Sequence, residues 1–138
     1  MNACPLCHPE NEIVLWRDAR CRIILAADPD YAGFCRVIWQ EHVKEMTDLA
    51  ETDRAHLMSV VFSAERALRD LLHPDKINLA SLGNQVPHLH WHIIPRFIDD
   101  AHFPDPVWTP RRRAAKADAT DRTVLAGRLA QLLREKLD

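Results

Sequence analysis

The segment from His88 to His92 reads His-Leu-His-Trp-His, and this alternation constrains the fold more than any other feature of the sequence. Successive side chains of a β-strand point to opposite faces of the sheet. The pattern therefore predicts a strand with three imidazoles on one face and an apolar surface on the other. A single histidine in a strand is most simply structural, but three on one face stand where threonine, lysine or glutamate would be ordinary. Because imidazole titrates near neutral pH and ligates transition metals, the row indicates a catalytic or metal-binding site.

The spacing of the row favours catalysis over one shared metal ion. Neighbouring rings are expected about 6.5 to 7 Å apart along the strand, close enough for one ring to act on a substrate while the others orient or protonate it. The outer two, His88 and His92, would diverge by about 13 Å on a flat strand, which is too far to converge on a single ion. A metal held by all three rings is thus the less favoured interpretation.

Composition predicts a soluble globular protein with a single domain over residues 1–138. Of the 138 residues, 47% are hydrophobic and 28% are charged, which is ordinary for such a domain. The net charge of −2 argues against general nucleic-acid binding, which needs a cationic surface. The basic cluster at residues 111–113 stands in a polar, proline-flanked stretch and is interpreted as a solvated connector.

No apolar run approaches the roughly 18 residues that a membrane span needs, and the first residues lack the plan of a signal peptide. The sequence therefore predicts a cytoplasmic protein without a membrane partner. The four cysteines are then expected to be reduced thiols. Cys21 and Cys35 stand in apolar runs and are predicted core residues.

Cys4 and Cys7 form a Cys-x-x-Cys motif, which is half of a tetrahedral zinc site. Two alternatives remain open, a pair of free thiols near the chain terminus and a redox motif. A thioredoxin-like redox role is disfavoured because no βαβ unit surrounds the motif.

Periodicity predicts an antiparallel α+β fold, because the strands gather around one helix without βαβ alternation. The core is expected to span about residues 4–108. The predicted elements are a five-stranded sheet with strands at 13–17, 21–27, 35–39, 76–82 and 88–97, a long central helix at about 52–73, and a C-terminal helix at about 120–137.

Residues 78–96 resemble the signature of the histidine triad superfamily. The shared features are the His-φ-His-φ-His-φ-φ pattern, in which φ is apolar, a preceding turn that contains Gly83 and Gln85, and the following Pro95. Residues 33–42 resemble the strand that leads to a lysine-x-His corner in this family. The resemblance extends over most of residues 4–108 and implies a HIT-like fold.

The resemblance implies a nucleotide phosphohydrolase or nucleotidyl transferase that acts on a nucleoside phosphoramidate or a dinucleoside polyphosphate. In such an enzyme, His90 attacks the α-phosphorus and forms a covalent nucleotidyl-histidine. His92 would face the phosphate oxygens or the leaving group, and His88 would fix the orientation or tautomer of His90. Gln85 is a candidate donor to the developing phosphate charge, or an ordinary turn residue.

For substrate binding, the resemblance implies a purine nucleotide or nucleotide conjugate. Asp28 falls at the position of a ribose-binding acid, and Asn78 is a second polar anchor, although each could be a turn or strand-end residue. The turn before the histidines is one residue short, so either Asn84 or Gln85 could fill the polar catalytic position.

Two other departures concern the pocket. Phe34 stands where the family commonly has histidine, and Trp39-Gln40 stand in place of Pro-Lys. Because pocket and turn residues set which nucleotide is accepted, these changes leave the substrate open.

Several members of the superfamily complete a structural zinc site with the corner histidine and the first triad histidine. Here the resemblance implies Cys4, Cys7, His42 and His88 as ligands, with His8 as a rival to His42. Without zinc, His42, His88 and His90 could form a hydrogen-bonded relay.

The resemblance also implies a homodimer, in which residues 103–108 reach towards the partner's pocket. Trp108 would then be an interface anchor, and the alternative is a lid within one chain. As a function of a different class, a non-catalytic nucleotide-binding regulatory module remains open.

Overall fold

The computed structural model describes residues 3–116 and 121–138 and contains a five-stranded antiparallel sheet with strand order β1-β2-β3-β5-β4. The strands are β1 (Ile13–Arg17), β2 (Cys21–Leu25), β3 (Cys35–Trp39), β4 (Lys76–Ala80) and β5 (His90–Arg96), and the helices are α1 (Glu51–Leu72) and α2 (Arg122–Leu137). The predicted α+β fold, with a central and a C-terminal helix, is confirmed. Among the described residues, neither α1 nor α2 combines the length with the apolar composition that a membrane span requires.

The sequence predicted that the fifth strand begins at His88, but β5 begins at His90. The reason lies in the backbone hydrogen bonds just before it. The His88 N–H donates to the Val86 carbonyl at 2.8 Å, and the Leu89 N–H donates to the Val43 carbonyl at 2.7 Å. His88 is therefore held in a turn against the loop at Val43, and the strand itself carries two of the three histidines.

β1 and β3 have the predicted bounds, and several of the other elements end one or two residues away from the predicted position. β2 ends at Leu25 and β4 ends at Ala80, each two residues early. α1 ends at Leu72, because His73 takes a left-handed conformation with φ of 49° just before Pro74. The predicted start of the C-terminal helix near residue 120 lies outside the described residues.

The two helices cover one face of the sheet and form the main core with it. The fully buried sheet residues on this side include Ile23, Val37 and Ile93, and they share the core with Leu57, Val60, Leu68, Leu125 and Leu129 of the helices. Cys21 and Cys35 are part of this core. Burial raises the pKa of both thiols to about 12, so they are inert at neutral pH.

The opposite face of the sheet carries the histidines. Ile38 of β3 pairs with His90 of β5, and Arg36 pairs with His92. Residues directly opposite each other in an antiparallel pair share a face. Arg36 and the two strand histidines therefore project from the face that the helices leave uncovered.

A buried ion pair anchors the segment after β5 to this uncovered face. Arg96 Nε donates to Asp100 Oδ2 at 2.8 Å, and neither side chain is more than 6% exposed. Asp100 also accepts from the backbone N–H groups of His102 and Phe103. Burial alone would raise the pKa of Asp100, but Arg96 and these N–H donors outweigh it and hold that pKa well below its usual range.

Asp100→Asn is expected to lower the free energy of unfolding by about 3 kcal/mol at pH 7, because it leaves the Arg96 guanidinium buried without a counter-charge. Asp99→Asn is the matched control, since Asp99 pairs with Lys116 at the surface, and the loss of an exposed ion pair should change the free energy of unfolding very little. Thermal unfolding of both variants measures the difference. If both variants lost the same free energy of unfolding, the Arg96–Asp100 pair would not be a stabilising buried ion pair.

The same pair predicts a pH dependence. Because folding lowers the pKa of Asp100, its stabilising contribution is complete above the unfolded value of roughly 3.9 and is lost as the pH falls below it. The stability difference between wild type and Asp100→Asn should therefore narrow below about pH 4.

Candidate functional site

His90 is held in one tautomer by a backbone carbonyl. Its Nδ1 lies 2.5 Å from the His88 carbonyl oxygen, which can only accept, so Nδ1 carries the proton. The Ser81 hydroxyl donates to the His90 carbonyl at 2.8 Å and ties this strand to the end of β4. The Nε2 of His90 is therefore left with a free lone pair.

His92 is the second histidine of this site, with its ring centroid 4.9 Å from that of His90 and the planes at 79°. The rings lie closer than the predicted strand spacing because they tilt towards each other. Burial, with smaller effects from His90 and Arg36, lowers the pKa of His92 to about 4. His92 is thus neutral at pH 7, and its buried Nδ1 has no hydrogen-bond partner among the described residues.

The two histidines open into a cavity of about 370 Å³. Its lining residues are Leu6, Arg36, Leu82, Gly83, Asn84, Gln85, Val86, His90, His92 and Trp108. The loop of residues 82–86 turns at Gly83, whose φ is 69°. This loop brings both Asn84 and Gln85 to the cavity, so either can supply an amide there.

Asp28 and Asn78 are not among the residues that line this cavity. The Asp28 carboxylate accepts from the Asp30 N–H at 2.9 Å in the loop after β2. The Asn78 side-chain oxygen accepts from Arg96 at 2.8 Å. The structure therefore gives Asn78 a structural partner and places Asp28 outside the lining of this cavity.

Arg36 is a cavity residue that the sequence reasoning missed. It stands in the otherwise apolar run of residues 35–39, opposite His92. A single arginine within a strand that is buried on both sides was the available signal, because such a charge needs a partner.

Trp108 packs edge-on against His92 of its own chain, with ring centroids 5.1 Å apart. About half of its side chain remains exposed, at 51%. The segment that the Arg96–Asp100 pair anchors thus returns to the cavity and closes one side of it.

A second cluster lies behind His88. The donor atoms of Cys4, Cys7, His42 and His88 all lie within 4.8 Å of one another. The Nδ1 of His88 is 3.5 Å from Cys4 Sγ, 3.4 Å from Cys7 Sγ and 3.1 Å from His42 Nδ1. His8 is not one of the four residues.

This donor set fits a tetrahedral zinc ion. With bonds of about 2.3 Å to sulfur and about 2.05 Å to nitrogen, the S···N edges are roughly 3.5 Å and the N···N edge roughly 3.3 Å. The His88 Nε2 donates to the Trp39 carbonyl at 2.6 Å, so the Nδ1 lone pair points at both sulfurs and at His42. Two sulfurs and the His42 Nδ1 thus surround the Nδ1 of His88. A cation shared by these atoms satisfies them better than a single hydrogen atom does.

The two neighbouring histidines therefore have opposite tautomers. His88 is protonated at Nε2 and His90 at Nδ1, in each case because a backbone carbonyl lies beside that nitrogen. His90 hydrogen-bonds the backbone of His88 rather than its ring. In the alternative without zinc, a relay of His42, His88 and His90 would run from ring to ring between His42 and His88 and through the His88 carbonyl to His90.

Comparison with known proteins gives one consistent result. A family model described as "HIT domain" matches residues 9–99. A histidine triad protein from Bradyrhizobium japonicum is 31% identical with a TM-score of 0.74, and the match covers 93% of this chain and 92% of that one. A Zn-bound histidine triad family protein from Mycobacterium smegmatis is 25% identical with a TM-score of 0.66, covering 94% and 89%.

Among curated proteins, an AP-4-A phosphorylase from Mycobacterium tuberculosis is 28% identical over 105 residues, which is 72% of this chain. The chain spans about half the length of this relative, 54%. The likeness therefore concerns the shared region.

Proposed function

Because this chain belongs to the histidine triad (HIT) family, we propose that it is a nucleotide hydrolase or nucleotidyl transferase that works through a covalent nucleotidyl intermediate on His90. The observation that carries the proposal is the tautomer of His90, whose Nδ1 donates to the His88 carbonyl and whose Nε2 is a free nucleophile. The likeness to an AP-4-A phosphorylase supports the same class of reaction.

In the first step, His90 Nε2 attacks the α-phosphorus of the nucleotide. A P–N bond forms while the bond from phosphorus to the leaving amine or phosphate breaks. The imidazole then carries a positive charge, which the His88 carbonyl stabilises through the Nδ1–H. A leaving amine takes up a proton from water as it departs.

In the second step, water attacks the same phosphorus and gives up a proton, and the P–N bond breaks. This releases a nucleoside monophosphate and returns neutral His90. Orthophosphate in place of water would give a nucleoside diphosphate, which is the transferase form of the reaction.

The neighbours of His90 supply the polar contacts. His92, with its unpartnered Nδ1, binds the phosphate oxygens or the leaving group. The side chains of Asn84 and Gln85, which line the cavity, are the candidate donors to the developing charge. His88 acts by fixing the tautomer of His90.

The substrate is a nucleoside phosphoramidate or a dinucleoside polyphosphate, with a purine as the favoured base. An adjoining cavity of about 540 Å³ supports a nucleoside site, because its wall includes the apolar Leu6, Ile13, Ile24 and Ala26. Asp28 directly follows Ala26 and Ala27, which line this cavity, and its charge acts on Arg36, so it is the candidate ribose acid.

Turnover assays with adenosine phosphoramidate and with diadenosine tetraphosphate test the function. We expect AMP from at least one of them in water, and ADP from the adenylyl group when orthophosphate is the acceptor. Calorimetric titration with AMP provides the control for binding. Binding without product from either substrate would reject the enzyme and favour the non-catalytic regulatory module.

Structural zinc is part of the proposal. Cys4, Cys7, His42 and His88 would fill all four positions, so the ion would cross-link the N-terminal segment to the corner loop and the histidine turn without taking part in the reaction. The donor distances and the Zn-bound relative from Mycobacterium smegmatis support this assignment.

A homodimer and a cytoplasmic location, both predicted from the sequence, also remain proposals. The contact between Trp108 and His92 of the same chain favours the reading of residues 103–108 as a lid within one chain.

A further inference from the structure

Arg36 is a charged side chain on the histidine face, and its buried portion has no partner. The Nε of Arg36 is buried and has no hydrogen-bond acceptor within the described residues. Its guanidinium carbon lies 5.5 Å from the centroid of the Phe34 ring, which is a favourable contact for a cation but does not satisfy the N–H. A buried donor without an acceptor is costly, so its presence points to a ligand that supplies the acceptor.

The position of Arg36 indicates which ligand group it meets. It lies across from His92 and lines both the histidine cavity and the adjoining cavity. The wall of the adjoining cavity includes the apolar Ile24 and Ala26 as well as Glu10 and Glu12, and Glu12 is paired with Arg22. If the adjoining cavity holds a nucleoside and His90 holds its phosphorus, the group at the junction is the 5′-phosphate.

The charges around Arg36 also indicate that its ligand is a phosphate. Arg36 forms no ion pair with a carboxylate in the part of the chain that the structure describes, and the described lining of the histidine cavity contains no carboxylate. Burial lowers the pKa of Arg36 and Asp28 partly offsets this, but an arginine remains charged. Since His92 is neutral at pH 7, Arg36 is the fixed positive charge of this cavity.

We infer that Arg36 binds a non-bridging oxygen of the reacting phosphate and stabilises the negative charge on it during transfer to His90. The inference rests on the proposed function in that the phosphate belongs to a nucleotide. The neutral His92 cannot supply this charge, whereas a guanidinium donates charge-assisted hydrogen bonds to phosphate. Such donors strengthen transition-state binding when they are fixed in a water-poor site.

Titration of wild type and Arg36→Met with AMP and with adenosine tests the inference, because the two ligands differ only in the phosphate. We expect Arg36→Met to weaken AMP binding about 10- to 100-fold and to leave adenosine binding within about twofold. Equal weakening of both ligands, or of neither, would overturn the inference, since Arg36 would then contact the nucleoside or no ligand at all.

Two controls separate this test from folding and from the proposed function. Arg17→Met removes an exposed arginine of β1 and should leave both affinities unchanged. Thermal unfolding of Arg36→Met should match or exceed wild type, because the lost N–H had no partner; a large decrease would mark Arg36 as a structural residue instead.

Titration with inorganic pyrophosphate separates the role of Arg36 in phosphate binding from the proposed hydrolase or transferase function. Pyrophosphate needs no nucleoside pocket, so binding to wild type and its loss in Arg36→Met would support the anion site even if no nucleotide were turned over. Turnover of nucleotides with unchanged pyrophosphate and AMP binding in Arg36→Met would uphold the proposed function and overturn the role of Arg36.

Discussion

His90→Asn is expected to lower kcat by about 10⁴-fold or more, the scale seen when a covalent nucleophile is removed. Asparagine is preferred to alanine because its amide can still donate to the His88 carbonyl, which would otherwise be left buried without a donor. The variant should therefore fold and bind AMP with an affinity close to that of wild type. Steady-state turnover and calorimetric titration of the same preparations measure the two properties.

His73→Asn is the matched control for this change. His73 is exposed at the end of α1 in a left-handed conformation, which asparagine adopts readily, so turnover should be unchanged. Turnover by His90→Asn within about tenfold of wild type would contradict a nucleophilic role, even if the variant bound nucleotide normally.

Loss of one thiol from the Cys/His cluster is expected to destabilise the protein more than any other single change considered above. Purified wild type should hold one zinc ion per chain, and Cys7→Ser should lose it together with about 5 kcal/mol or more of stability, because zinc binding contributes directly to folding. Elemental analysis gives the metal content, and thermal unfolding with and without a chelator gives the stability.

His8→Ala is the control for the ligand assignment. His8 follows Cys7 in the chain but is outside the four-residue cluster, so this variant should keep its zinc and its stability. Zinc loss in His8→Ala but not in His42→Ala would show that His8 is the ligand. Wild-type protein without zinc and with no response to a chelator would contradict the metal site altogether.

Much of the fold was predictable because it follows from local periodicity. The alternating segment at residues 88–92 placed His90 and His92 on one face, and the apolar stripe predicted the long helix α1. The start of β5 was not predictable in this way. It depends on the bond from the Leu89 N–H to the Val43 carbonyl, which joins residues 46 positions apart.

The same distinction between local patterns and contacts of distant residues applies to the site. Motif spacing was enough to group Cys4 and Cys7, and the resemblance supplied His42 and His88. A lone arginine in the apolar run of residues 35–39 was a signal within the sequence, but its position opposite His92 depends on cross-strand register, which no pattern within one strand reports.

The tautomers of the histidines were also beyond sequence reasoning. Each is set by a nearby carbonyl, that of Trp39 for His88 and that of His88 for His90. The partner of Asn78 was not predictable from local sequence either. Its side-chain oxygen accepts from Arg96, a residue eighteen positions away in the chain, whereas the sequence suggested that Asn78 would bind substrate.

The most direct test of the covalent mechanism is intact-protein mass spectrometry of wild type, quenched in alkali within milliseconds of mixing with adenosine phosphoramidate, followed by peptide mapping. A nucleophilic His90 should give a transient adduct of one adenylyl group per chain on His90 and none on His90→Asn. AMP formation without any adduct at early times, or an adduct that maps to another residue, would contradict it.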